Sequence, residues 1–198
     1  MHSINASGHK YGLVYPGVGW AIWRDAEKLP QDLVFDVNYL GGSMPTFALN
    51  FSRPGSEVIA QYYMFVSLGM EGYRSVQRAS SAVAQHIGAE VTAMGPYELL
   101  TDGSELPVLA FTTAPGVENY TVFDVSARLR EFGWLVPAYT FPENRQDLSV
   151  LRVVVRAGMT HDMADLFLAD LRKQTAWLEG LSGPLPGRDP KDHKSFAH

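Results

Sequence analysis

The chain has 198 residues, 46% hydrophobic, 12% aromatic and 19% charged, enough apolar material for a core of one or at most two domains, which excludes a disordered tail. It contains no cysteine, so disulfides, zinc ribbons, thiol nucleophiles and cysteine-ligated clusters are excluded. The net charge of -5, with sixteen scattered Lys and Arg, argues against a nucleic-acid partner, whose phosphates need a basic surface.

No apolar run approaches the roughly 20 residues of a spanning helix. The opening residues, Met1 to Lys10, lack the hydrophobic stretch of a signal peptide. A soluble protein of the cytosol, without a membrane partner, is expected. Asn-x-Ser/Thr triplets at Asn5, Asn50 and Asn119 are read as chance, because glycosylation requires export.

In chain order, residues 1–24 read as a polar loop followed by two short apolar segments, Leu13 to Tyr15 and Trp20 to Trp23, around Pro16-Gly17-Val18-Gly19. That is a strand-turn-strand signal. Residues 32–50 suggest a second hairpin or extended loop about Gly41-Gly42. From Pro54 the period becomes helical, with Ile59, Tyr62, Val66, Gly69, Tyr73, Val76, Ala79, Val83 and Ile87 at steps of three or four. One long helix over about 56–88 follows, with Ser52 and Pro54 at the positions of a capping hydroxyl and a first-turn proline.

Beyond residue 97 the order is strand, strand, helix, strand, strand, helix: 97–101, 107–113, 120–132, 134–140, 150–156 and 161–179. Gly133 and Gly180 stand at the two helix ends. Val122, Val125, Leu129 and Phe132 form one apolar stripe, and Met163, Leu166, Phe167 and Leu171 another. These elements predict an α/β chain with a two-layer domain over 89–182, preceded by 1–88 and followed by an irregular tail, 183–198.

The chemistry concentrates in Ser3-Ile4-Asn5-Ala6-Ser7-Gly8-His9-Lys10-Tyr11-Gly12, where a lysine stands among small residues after a histidine. An imine-forming lysine must approach a carbonyl carbon unobstructed, and its amine must be neutral when it attacks. Read alone, a His-Lys pair is more often a solvated surface feature. His161 with Asp162 and Asp165 suggests a metal pair, but acidic residues in the first turn of a helix are better explained by its dipole.

The context of Lys10 resembles the cofactor-lysine motif of the pyridoxal-phosphate-dependent decarboxylases of the glutamate decarboxylase family. The resemblance continues through Gly17-Val18-Gly19-Trp20, Trp23-Arg24, Leu33-Val34-Phe35, Tyr39-Leu40-Gly41-Gly42, Phe47, Asn50-Phe51-Ser52-Arg53-Pro54 and Gln61-Tyr62-Tyr63. The ending Ser195-Phe196-Ala197-His198 is similar to bacterial members. The likeness therefore spans essentially the whole chain.

That resemblance implies conversion of L-glutamate to 4-aminobutanoate and carbon dioxide, with Lys10 forming the Schiff base with pyridoxal 5'-phosphate. It implies a phosphate contact from His9 and a second from Ser52, the latter given to a neighbouring subunit of a dimer or hexamer. Arg156, in Val153-Val154-Val155-Arg156-Ala157-Gly158, matches the arginine that holds the substrate's α-carboxylate, a role a guanidinium fills with two parallel bonds. On residues alone, an arginine paired to an acidic neighbour is the alternative, and Arg152 is the nearest competitor for the same strand face.

Tyr39 and Leu40 match a loop that closes over the site of a neighbouring subunit, and His198 matches a terminal histidine that caps the site as pH rises. Plant relatives carry a basic, tryptophan-containing calmodulin-binding tail; residues 183–198 have no tryptophan, so no calmodulin partner is expected.

In this family the aspartate facing the pyridine nitrogen, the ring-stacking aromatic residue and most phosphate ligands precede the lysine. The expected fold is the C-terminal part of a fold type I pyridoxal-phosphate enzyme, with an incomplete large domain and a complete small α/β domain, inactive by itself. Two other readings stand beside this one: a truncated, non-catalytic interaction protein, and a related decarboxylase or lyase, since His-Lys-Tyr-Gly also occurs in sphingosine-phosphate lyases.

Overall fold

In the computed structural model, which describes residues 1–39, 41–49 and 52–185, the opening segment is extended. Strands β1 (Ser3–Ser7) and β2 (Gly19–Trp23) pair antiparallel, with Ser3 opposite Trp23 and Ser7 opposite Gly19. The expected polar loop is thus a strand. Its small polar side chains hid it, and pairing with the tryptophan-bearing partner overrides their weak strand preference. Two 3-10 turns, Ala26–Lys28 and Gln31–Leu33, lead into a hairpin of β3 (Phe35–Val37) and β4 (Met44–Thr46), where the second hairpin was expected.

Helix α1 (Ser56–Ala93) is interrupted at Gly69, whose φ of 56° and ψ of -170° are open essentially only to glycine. Two expectations about this helix are corrected. Its first residue is Ser56, and the amides of Val58 and Ile59 donate to the Gly55 carbonyl, so Ser52 and Pro54 do not occupy the cap and first turn. Pro54 biases the residue before it away from helical backbone, which delays the start. The apolar stripe also fails as a single face. Ile59, Tyr62 and Val66, before the break at Gly69, are 67–71% exposed, whereas Val83 and Ile87, after it, are buried.

By contacts the chain divides into two units, Met1–Tyr73 and Arg74–His198. The second holds β5 (Tyr97–Asp102), β6 (Val108–Thr113), α2 (Val122–Glu131), β7 (Ala138–Thr140), β8 (Ser149–Val154) and α3 (His161–Glu179), in the order the sequence predicts. Its sheet runs β5-β6-β8-β7, antiparallel throughout, with Leu109 opposite Val153 and Ala138 opposite Leu151. Leu109, Phe111, Leu151 and Val153 share one core with Val83, Ile87 and Val91 of α1, Val125 and Leu129 of α2, and Phe167, Leu168 and Leu171 of α3. The chain is mixed α/β, as expected.

Local chemistry sets the ends of these elements. Thr121 and Asp124 close a capping box at the start of α2, and the Thr160 hydroxyl accepts from the Met163 amide at the start of α3. Gly133, at φ 89°, completes a Schellman turn: its amide donates to Arg130 and that of Trp134 to Leu129. Gly180 caps α3 from right-handed backbone instead.

Strand β7 begins only after Pro137, which has no amide to give a ladder. The indole of Trp134, expected on that strand, instead donates to Asp170 at 2.8 Å and packs edge-on against Phe167. The stripe of α3 is shifted from the expected one: Met163 and Leu166 are exposed, and Ala164, Phe167, Leu168, Leu171 and Leu178 are buried.

Candidate functional site

Lys10 lies on the turn that links β1 to the segment returning toward β2, and its side chain is exposed. The turn is tied from within: the Lys10 amide donates to Ser7 at 3.1 Å, the Gly8 amide to Val18 at 2.9 Å and the Val14 amide to Gly8 at 3.3 Å. Small size is required around the lysine. A Cβ on Gly8 would stand 2.6 Å from a Val18 methyl, and one on Gly12 would stand 2.2 Å from the Gln61 amide oxygen. Leu13, directly after, holds φ at 61°, a left-handed conformation that costs a leucine about 1–2 kcal/mol.

That strain is held by contacts the sequence did not flag. The Gly12 carbonyl accepts from the Gln61 side-chain amide at 3.0 Å and from the Tyr73 hydroxyl at 2.9 Å, and the Gln61 amide also donates to that hydroxyl at 3.0 Å. Gln61 is 3% exposed, and its amide oxygen is buried with no hydrogen-bond partner among the described residues. The signal available in the sequence was Gln61 beside Tyr62 and Tyr63, a segment that carries part of the family resemblance and part of the apolar stripe but to which no contact with the turn was assigned.

The other expected site residues fall at scattered places. His9 is half-buried beside Lys10 on the turn. Tyr39, after β3, is 70% exposed. Ser52 is exposed, with φ at 50°. Among the described residues, no side-chain hydrogen bond, ion pair or ring contact joins Tyr39 or Ser52 to Lys10. Leu40 and His198 lie outside the described residues.

Arg156 belongs to the second unit, in the turn two residues past β8, where its carbonyl accepts from the Met159 amide. The strand ends sooner than expected, so Arg156 is not a strand residue. Its exposed guanidinium meets no acidic partner among the described residues, unlike the ion-paired arginine weighed as the alternative. Arg152 stays on β8 with its guanidinium 5.4 Å from the ring centre of Tyr139, an engagement that separates it from its competitor. His161 and Asp165 each meet His86, the first ring to ring at 5.3 Å and the second by a 2.7 Å bond; no group of three metal-ligating residues occurs among the described residues.

Small residues about an exposed primary amine, on a turn whose backbone is held by its own bonds, match the family whose model fits residues 1–114, described as the pyridoxal-dependent decarboxylase conserved domain. The chain belongs to the pyridoxal-dependent decarboxylase family. It is 50% identical over 174 residues to a glutamate decarboxylase of Aliivibrio fischeri, covering 87% of this chain and 38% of that protein.

Among solved structures it superposes on a glutamate decarboxylase of Lactobacillus brevis with a TM-score of 0.81 and 46% identity, covering 91% of this chain and 41% of that one. A sphingosine-1-phosphate lyase of Burkholderia pseudomallei follows at TM-score 0.72 and 26% identity, covering 89% and 38%. The fold is that of the fold type I pyridoxal-phosphate enzymes, and the chain spans about two-fifths of the length of these relatives.

The donor set of the turn fits a carbonyl-bearing cofactor on two observations. The Lys10 side chain is exposed, and no carboxylate pairs with it among the described residues. The close approach at Gly8 leaves no side chain on that position to crowd the amine.

Proposed function

We propose that this chain is part of a glutamate decarboxylase that converts L-glutamate to 4-aminobutanoate and carbon dioxide, with Lys10 holding pyridoxal phosphate. What carries the reading is the 50% identity, over 87% of the chain, to a glutamate decarboxylase. The placement of Lys10 on a tied, small-residue turn supports it. Identity to the sphingosine-1-phosphate lyase is much lower, at 26%.

When bound, the cofactor supplies an electron sink for the pair left behind as carbon dioxide departs. The residues of this chain bind, orient and shield. Lys10 would hold the cofactor through its side-chain amine, which must be neutral to attack a carbonyl. His9, next to it, contacts the phosphate, and Ser52 gives a second phosphate contact to a neighbouring subunit of a homodimer or hexamer.

Arg156 holds the α-carboxylate of glutamate between two parallel N–H donors. Its lack of an acidic partner among the described residues leaves the guanidinium available for that carboxylate. Tyr39 and Leu40 close over the neighbouring site and exclude water, so that the carbon losing the carboxylate is reprotonated by a positioned donor rather than by solvent. His198 caps the site as pH rises, a task suited to an imidazole because its charge changes near neutrality. The enzyme works in the cytosol.

The test replaces the matching part of the Aliivibrio fischeri glutamate decarboxylase with this chain and measures release of carbon dioxide from L-glutamate. Turnover of glutamate, and loss of the visible absorbance of bound cofactor in Lys10→Ala, are expected. A chimera that folds and binds cofactor but leaves glutamate untouched overturns the substrate. Retention of the absorbance by Lys10→Ala overturns the role of the lysine.

A further inference from the structure

We infer that Gln61 and Tyr73 are positioning residues for Lys10: brought together by the break of α1 at Gly69, they clamp the Gly12 carbonyl and thereby fix the turn that presents the amine. The inference rests on the reading of Lys10 as the cofactor lysine. Its geometry stands by itself. Twelve residues along an unbroken helix span about 18 Å. Here the Gln61 amide and the Tyr73 hydroxyl are 3.0 Å apart and share one acceptor. The left-handed, extended-ψ backbone at Gly69 is the departure from helix that lies between them.

Two features show that the clamp works against a load. Leu13 follows Gly12 in strained left-handed backbone, and the orientation of the peptide between them is set by the carbonyl that Gln61 and Tyr73 hold. Gln61 also accepts a cost for its place: its amide oxygen is buried without a partner among the described residues, against the position where a Gly12 side chain would begin. A buried glutamine that served only packing would be improved by an apolar residue of equal size. The bonds to the turn are what its amide adds.

The test uses the full chain and the variants Tyr73→Phe, Gln61→Met, the double variant, and Tyr62→Phe as a control on an exposed tyrosine of the same helix. Amide hydrogen exchange at Lys10 and Val14 is measured with mass-spectrometric site resolution. In parallel, pyridoxal phosphate is trapped with borohydride, and the adduct at Lys10 is compared with that at Lys28. Each single variant should speed exchange in the turn about fivefold, the factor that one hydrogen bond of ~1 kcal/mol represents. The double should exceed the product of the singles, because either donor alone still holds the carbonyl.

The Lys10:Lys28 adduct ratio should fall in the same order, while exchange in β5 and β6 and all readouts of Tyr62→Phe stay as in the parent chain. Unchanged exchange at Lys10 and Val14 in the double variant overturns the clamp. Faster exchange with an unaltered, Lys10-selective adduct ratio overturns its positioning role. A parent chain with no preference for Lys10 over Lys28, yet with accelerated exchange in the variants, counts against the cofactor reading and leaves the clamp standing.

Discussion

The hydroxyls of Tyr97 on β5 and Thr175 on α3 lie 2.6 Å apart inside the second unit, each residue only 4% exposed. They tie sheet to helix in a place where water cannot substitute. The nearby Tyr120 is also buried, yet its hydroxyl has no hydrogen-bond partner among the described residues. Two phenols in one core therefore stand in opposite situations. Tyr97→Phe should destabilise the chain by about 1–3 kcal/mol, since it strands the Thr175 hydroxyl, whereas Tyr120→Phe should be neutral or stabilising. Urea unfolding followed by tryptophan fluorescence checks the pair; equal losses in both variants contradict the assignment.

The same phenols set an alkaline limit. Burial, then the charge of Glu179, pushes Tyr120 up to about 12 from an ordinary 10.0. Burial, against a smaller opposing effect of the Thr175 bond, pushes Tyr97 well above the usual phenol range. The folded state thus keeps protons that the unfolded chain releases from pH 10 upward. Stability should be undiminished by these groups below pH 10 and fall as pH rises through about 12. Melting temperature measured between about pH 8 and 12 should decline less steeply in Tyr120→Phe than in the parent chain.

A half-buried fork joins the helices of that unit. Arg128 of α2 donates to the Gln174 amide oxygen of α3 at 3.1 and 2.9 Å, pairs with Glu131, and lies 4.2 Å above the ring of Trp177. Gln174 is 1% exposed, so its oxygen has no recourse to solvent. Arg128→Met keeps most of the stem but removes the donors, and should cost about 1.5–3 kcal/mol. Arg128→Lys should recover only part of the loss, because an ammonium cannot reproduce the planar fork. A thermal melt of the three proteins decides this; full recovery by lysine rules out the fork as the source.

Much of the second unit was legible because its elements obey local rules. The 161–179 helix was bounded as observed, its acidic first turn and closing glycine being readable in the sequence, while the Thr160 cap emerges only in the structure. What escaped were effects of position in space. Pro137 and the bond of Trp134 to Asp170 shorten β7, neither of which alters apolar periodicity. Similarly, the run Ile59, Tyr62 and Val66 has perfect helical spacing and faces outward in this chain.

At the lysine turn it was the resemblance to the family's cofactor-lysine motif that pointed to Lys10, since small neighbours alone left a solvated His-Lys pair the commoner reading. The sequence was silent about how Gln61 and Tyr73 act, since their role depends on a backbone break that returns them to one carbonyl from 49 and 61 residues away. A lone glutamine in a helix carries no such signal.

The break itself is testable. Among the described residues nothing lies within 4 Å of a Cβ built on Gly69, so Gly69→Ala introduces no clash with them. It does force a side chain into φ 56°, ψ -170°, at a cost of order 1–3 kcal/mol. The chain can escape that cost by running the helix straight, which carries Tyr73 away from Gly12. Gly69→Ala should therefore raise helix content by circular dichroism while speeding amide exchange at Lys10 and Val14. A rise in helix content without faster exchange breaks the link between the two.

The last prediction concerns Arg156, exposed beyond β8 without an acidic partner among the described residues. A guanidinium that held the β8 turn by an ion pair would, on removal, destabilise the chain. One that waits for a substrate carboxylate would not. Arg156→Ala is therefore expected to leave the melting temperature within the range of ordinary surface changes, about 0.5 kcal/mol. In the chimeric decarboxylase it should weaken glutamate affinity by a factor corresponding to about 1.5–3 kcal/mol, the worth of charge-assisted bonds to a carboxylate. Arg156→Lys should restore charge but not the two parallel bonds, and so recover only part of the affinity. Arg152→Ala, by contrast, should lower stability slightly through loss of its contact with Tyr139 and leave glutamate affinity unchanged. Glutamate titrations of the four chimeras, alongside their melts, separate the two arginines. An affinity loss in Arg152→Ala but not in Arg156→Ala reverses the assignment.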